Sequence, residues 1–205
     1  MRPAQKVLTS ILWVLMVLAM VSVIGAQLWR KNAQDAAANA LPALANAPDF
    51  QLVDQDNNPV TAQSLRGKTW IADFVFTHCA GPCPMMTAKM RTFQKAIPST
   101  NIAFLSFSVD PERDTPAVLK EYAAKFHADE SRWKFLTGAK DAIYAVARGM
   151  MITAIPAQAD SPIIHSERFV LIDKLGRIRG YYELGDEAQM SALPLDAAAV
   201  ANEPG

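Results

Sequence analysis

The chain has 205 residues, 51% of them hydrophobic, which suits one ordinary domain with a real core plus an appendage. Twenty Lys and Arg balance twenty Asp and Glu, so the formal charge is zero. No basic run or basic–aromatic alternation is present, which argues against nucleic acid as a partner.

An apolar segment comes first. From Val7 to Trp29 runs an uncharged stretch of 23 residues, VLTSILWVLMVLAMVSVIGAQLW. As a helix rising about 1.5 Å per residue it reaches roughly 34 Å, enough to cross a hydrocarbon core of about 30 Å. A secretory signal usually has an apolar region of only about 7 to 15 residues, so the length favours a retained anchor over residues 1–30. The alanine-rich sequence behind it offers A-x-A sites and leaves cleavage open. Arg2 and Lys6 precede the segment and Arg30 and Lys31 follow it, a slight bias toward the N-terminus inside once the terminal amine is added. An N-terminal anchor ahead of a single domain exports that domain. The expectation is a single-pass protein of the inner (cytoplasmic) membrane with its domain in the periplasm or exterior, where two cysteines can form a disulfide.

Residues 31–47 are Ala/Asn-rich and read as a flexible linker. The domain then spans 48–205, with sixteen basic and nineteen acidic residues, a net of −3. DFQLVDQDNNPVTAQSL predicts a short hairpin turning at DNNP. TWIADFVFT predicts a strand buried on both faces. MMTAKMRTFQKAI has helical spacing, with Met86, Met90, Phe93 and Ile97 on one side. NIAFLSFSVD is a strand, and TPAVLKEYAAKFHA opens with a Thr cap and a proline at the first helical position. WKFLTG is a third strand, AKDAIYAVARGM a helix, and residues 153–162 a Pro-containing loop. The strands RFVLID and IRGYYEL are joined at KLGR, where Gly176 suits a tight turn. A weaker helix, broken by Pro194, closes the chain. The order predicts an α/β sandwich whose first half is a right-handed crossover unit.

The only two cysteines, Cys79 and Cys83, lie in FVFTHCAGPCPMM. Buried strand, loop and helix follow in that order, so both thiols sit at the carboxyl end of a strand and the amino end of a helix. Unpaired N–H groups and the helix dipole favour thiolates there. Pro82 and Pro84 fit a first turn, where a missing N–H is harmless. Buried inert thiols, a redox pair and a metal pair all remain open readings. The first leaves unexplained why both cysteines share one turn with Gly81 and two prolines. A metal pair needs a third ligand. His127 ends a surface-type helix, His78 alternates away from the site if the strand continues, and His165 stands at the entrance of a late strand.

The segments DFVFTHCAGPCPMM, SFSVDPERDTP, WKFLTG and IIHS with FVLIDKLGRIRGYY together resemble the Sco/SenC family of membrane-anchored, copper-binding proteins. The likeness runs from about Pro48 to Glu183. It implies a thioredoxin-like fold with a central mixed sheet. It also implies a copper ion, Cu(I) or Cu(II), held by Cys79, Cys83 and His165. In thioredoxin-like sheets the loop entering the late strand lies over the cysteine turn, where thioredoxins carry a cis-proline. This chain has no proline immediately before that strand, leaving space for the His165 imidazole. Asp110 is expected to face the site beside the cysteine strand or to cap a turn. Asp73 resembles the buried acid that relays protons in thioredoxins, or is a satisfied buried carboxylate. Ile164 stands where some members carry an aspartate. Met85, Met86 and Met90 read as core packing rather than thioether ligands.

Two thiolates and an imidazole suit copper, and three ligands leave a side open for exchange, whereas structural zinc normally takes four. The leading expectation is a copper chaperone that metallates a cytochrome c oxidase through its copper-bearing subunit, with other periplasmic copper chaperones as further partners. The alternatives are a thiol–disulfide oxidoreductase using Cys79 and Cys83 on an exported apo-protein, and a redox or copper sensor. A P-x-x-x-T-x-x-C peroxidase pattern is absent around Cys79.

Overall fold

Seven consecutive buried residues, Thr69–Val75, form the strand around which the domain is built. The computed structural model describes residues 13, 16, 18–25, 27, 41–98, 101–155 and 163–203, with the backbone alone of Ile164 and His165. The chain divides into two compact units, Met1–Ala40 and Leu41–Gly205. In the first, the described residues are helical, and Trp13, Met16 and Leu18 expose large apolar side chains. Much of the expected membrane span over 7–29 lies outside the described residues. Among those described, no helix is long and apolar enough to cross a membrane.

The second unit runs β1 (Ala45–Asn46), β2 (Gln51–Val53), β3 (Pro59–Thr61), β4 (Thr69–Val75), α1 (Cys83–Ala96), β5 (Ile102–Ser108) and α2 (Pro116–Lys125). It continues with β6 (Trp133–Leu136), α3 (Lys140–Gly149), β7 (Ala154–Ile155), β8 (Ile164–His165), β9 (Arg168–Ile172), β10 (Arg177–Glu183) and α4 (Glu187–Asn202). The six-stranded sheet has the order β1-β10-β9-β4-β5-β6. Strands β4, β5 and β6 are parallel, while β9 and β10 return antiparallel. This is an α/β sandwich, as the order of elements predicts, with the mixed sheet of the thioredoxin-like fold that the family resemblance implies.

Alternation along β4 feeds two cores. Ile71 and Val75 pack with Met86, Met90 and Phe93 of α1, Leu119 and Tyr122 of α2, and Leu193 and Ala197 of α4. Trp70, Ala72 and Phe74 face Ile143, Val146 and Ala147 of α3 and the β2–β3 ribbon. Burying both faces explains why β4 reads as an unbroken apolar run interrupted only by Thr69 and Asp73. The four apolar residues predicted to share one side of α1 are all in the first core. Thr115 caps α2 through Oγ1, accepting from Val118 N, ahead of Pro116. Gly176 takes φ +72 in the β9–β10 turn, a backbone state that disfavours side chains.

Three features depart from the sequence reading. Residues 41–47, read as linker, belong to the folded unit: β1 pairs with β10, and the Leu41 carbonyl accepts from the Arg179 guanidinium. Arg179 is buried and also binds Asp173 and Glu203, so it ties the start and end of the unit together. The loop after α3 holds a short ribbon, β7 paired with β8. Pro194 does not break the last helix, which continues through it. Met190, Leu193, Ala197 and Val200 are buried along one side, and that burial holds the helix across the lost hydrogen bond.

Candidate functional site

Strand β4 ends at Val75, and Phe76 packs against both cores. The chain then turns through Thr77–Pro82 and enters α1 at Cys83, whose N-cap is Pro82. No side chain caps this helix start; the prolines fill it instead. Cys79 is half-buried and its Sγ accepts from Gly81 N at 3.4 Å. Cys83 is fully buried in the first core. The sulfurs are not joined in a disulfide. They are close enough to interact as a hydrogen-bonded thiol pair.

Burial pushes the Cys83 thiol well up, and the hydrogen bond with Cys79 adds to it; a backbone hydrogen bond with Phe76 opposes both. The expected thiolate-stabilising effect of the helix start is therefore outweighed at this cysteine. Desolvation penalises the charged form more than the first helical turn relieves it.

Asp73 lies on the same sheet face as Ile71 and Val75, the face covered by α1 and Cys83. It is fully buried, and neither carboxylate oxygen makes a hydrogen bond of ordinary geometry, the Ser106 hydroxyl being the nearest polar group to act on it. Burial raises its pKa to about 7, partly offset by the Ser106 hydroxyl on β5.

Asp110 lies past the end of β5. Its N–H donates to Ser108 Oγ, and its carbonyl accepts from Arg113 N and Asp114 N, so its main chain forms a turn. Its carboxyl pKa is raised by burial and then by neighbouring Asp114. It lines a cavity of about 390 Å³ together with Phe76, His78, Glu112, Lys140 and Tyr144. His78 is exposed at this cavity. Because the strand stops three residues earlier, the strand alternation that would turn it away does not apply.

The acid that sequence reasoning missed is Asp114. It is fully buried and accepts from Ser108 Oγ at 2.6 Å, Thr77 N at 3.1 Å and Thr77 Oγ1 at 2.6 Å. These bonds pin the loop leaving β4 to the loop leaving β5. The available signal was its four-residue spacing from Asp110 just before the Thr115 cap.

His165 is on β8, opposite Ala154, and its side chain lies outside the described residues. Register fixes the end of the sheet to which its backbone leads. Ala72 pairs with Val170 in antiparallel sense, so running back from Val170 to His165 follows β4 forward toward the cysteine turn. The structure thus brings Cys79 and Cys83 together and directs the His165 backbone to the same sheet end. Of the methionines, Met86 and Met90 are core, whereas Met85 is 61% exposed. His127 ends α2 exposed at φ +52. No cluster of three or more His, Cys, Asp or Glu able to hold a metal is found among the described residues.

Comparison with known proteins fits this geometry. The family model described as SCO1/SenC matches residues 39–198. An SCO1 protein homolog of Bacillus subtilis (strain 168) is 37% identical over 134 residues, covering 63% of this chain and 69% of the relative. BsSco, described as a member of the Sco family of cytochrome c oxidase assembly proteins with a disulfide switch, superposes with a TM-score of 0.72. It is 29% identical, over 81% of this chain and 100% of BsSco. ScoI of Bradyrhizobium japonicum, solved with copper bound, gives a TM-score of 0.63 at 30% identity, over 77% of this chain and 98% of ScoI. Motifs, fold and these likenesses converge: the chain belongs to the SCO1/SenC family.

Proposed function

We propose that this protein is a copper metallochaperone whose cargo is held by Cys79, Cys83 and His165. The observation that carries the reading is the thiol pair itself, one sulfur buried and one half-exposed, at the junction of β4 and α1. Two sulfurs so close fit a soft cation such as Cu(I), and an imidazole completes a set that also suits Cu(II). Three ligands leave a coordination position through which a recipient can compete for the ion. The buried sulfur resists loss to solvent, and the accessible one lets exchange begin. Support comes from ScoI, solved with copper, and from BsSco, whose family is described by oxidase assembly. On that basis the recipient is a cytochrome c oxidase copper-bearing subunit. Residues 7–29 supply the membrane anchor, and the domain works outside the cytoplasmic membrane.

Metal titration of the reduced full chain tests this. One copper per chain is expected, with His165→Ala weakening its binding. Unchanged affinity in that variant removes His165 from the ligand set.

A second reading has its own observation. A half-exposed cysteine followed by a buried one suits attack and resolution in thiol–disulfide exchange. Cys79 sulfur would bond to one sulfur of a substrate disulfide, releasing the other as a thiol. Cys83 would then close the Cys79–Cys83 disulfide and release the second substrate thiol, leaving the substrate reduced and this protein oxidised. Turnover that survives His165→Ala but needs both cysteines would favour this role.

A further inference from the structure

We infer that Asp114 is the positioning residue of the thiol turn: by clamping Thr77 it presets the approach of the Cys79 sulfur to that of Cys83. This deepens the proposed function and rests on Cys79 and Cys83 being the working pair, as both of its readings require. Phe76 is the starting point, because its main chain touches both cysteines. Its carbonyl accepts from Cys79 N at 3.3 Å, closing a tight turn with Thr77 and His78 at the centre. Its backbone also hydrogen-bonds Cys83. The spacing of the two sulfurs therefore follows the path of the chain through 76–79.

Asp114 fixes that path from outside the turn. Thr77 donates to its carboxylate twice, from the backbone N–H at 3.1 Å and from Oγ1 at 2.6 Å. Hydrogen bonds to an ionised acceptor are the strong kind, roughly twice a neutral pair. The clamp is itself held. Asp114 is fully buried, accepts from Ser108 Oγ at 2.6 Å, and donates its own N–H to the Asp110 carbonyl at 2.9 Å. The residue after it is Thr115, the cap of α2. The segment leading to Cys79 is thus registered against the end of β5 and the start of α2 as well as its own strand. A turn held in this way keeps Cys79 beside Cys83 before any bond joins them. That lowers the ordering cost of closing a disulfide or a two-sulfur metal site.

Exchange with glutathione reads this preorganisation without a metal. The Cys79 and Cys83 thiols are oxidised to one disulfide as glutathione disulfide is reduced to two thiols, and the two protons pass from the protein sulfurs to glutathione. The equilibrium constant rises with the effective concentration of one cysteine at the other. The full chain is equilibrated in glutathione mixtures, and its disulfide is read by mass after alkylation. Thr77→Val is expected to lower the constant about three- to tenfold, and Thr77→Ser, which keeps both donors, to retain it. Ser108→Ala removes a bond of the same length to the same carboxylate, but from β5 rather than from the cysteine turn. It should lower the urea midpoint yet move the constant far less. His78→Ala removes the other contact of the Thr77 hydroxyl, at 3.0 Å, and should leave the constant unchanged. An unshifted constant in Thr77→Val overturns the inference, as does a shift of equal size in Ser108→Ala or His78→Ala. If the unaltered chain forms no disulfide at any glutathione ratio, the inference falls, while the copper titration decides separately whether the proposed function stands.

Discussion

Asp73 carries two carboxylate oxygens into the interface between sheet and helix without a hydrogen bond of ordinary geometry. Its pKa of about 7, raised by burial, lies well above the roughly 3.9 of an unfolded aspartate. The folded state therefore binds more protons between these values, and its stability falls as pH rises from about 4 through 7. Three pH units correspond to a loss on the order of 4 kcal/mol. Urea midpoints of the reduced chain at pH 5 and pH 8 should differ, and Asp73→Asn should flatten that difference. Equal pH dependence in both proteins would show that Asp73 is not the group responsible. The burial of Asp73 and the position of both cysteines were legible because an apolar run ending in a Cys-Pro turn leaves little choice of register. The split between Asp110 and Asp114 was not legible. Either acid could end the strand, and only the turn over 110–114 decides which of them points inward at Thr77 and Ser108.

Helix α4 shows how tertiary packing overrides a local signal. Proline inside a helix loses one hydrogen bond and clashes with the preceding turn, a cost of about 3 kcal/mol or more. The sequence predicts a break here, yet four buried residues, two on either side of Pro194, outweigh it. Pro194→Ala should raise stability by about 2 kcal/mol, the restored helix being partly offset by a more flexible unfolded chain. Thermal unfolding and far-ultraviolet circular dichroism check this; an unchanged or lower midpoint would mean that the proline is matched to its site. The β7–β8 ribbon was illegible for a different reason. Strands of two residues carry no period, and pairing at this range comes from their partners rather than their own sequence. The longer strands β4, β5, β9 and β10 and helices α1 to α3 each carry their own pattern, and each was read correctly.

At the scale of the whole unit, one guanidinium does the joining. Arg179 is 4% exposed in its side chain and contacts Asp173 at 3.2 Å and Glu203 at 2.5 Å, with further bonds to the Leu41 carbonyl. Burial alone would raise the Asp173 carboxyl, but the Arg177 N–H, the Arg177 guanidinium and Arg179 hold it below the usual range. The stability this adds is present above about pH 3.9 and lost as pH falls through the lowered value, so the network persists at neutral pH. Arg179→Met leaves Glu203 without its guanidinium partner and takes one of two guanidiniums from buried Asp173, and should cost about 3 kcal/mol, read from denaturant unfolding. A loss under 1 kcal/mol would mean that solvent takes over the guanidinium's role.

Both Leu41 and Glu203 contact that single planar group, so the first residue of the folded unit and its last described residue are neighbours in space. A few glycines would bridge them. The order of elements along the chain is thus separable from the architecture, and a circularly permuted version opened between Gly138 and Ala139 should keep the pairings of the six-stranded sheet.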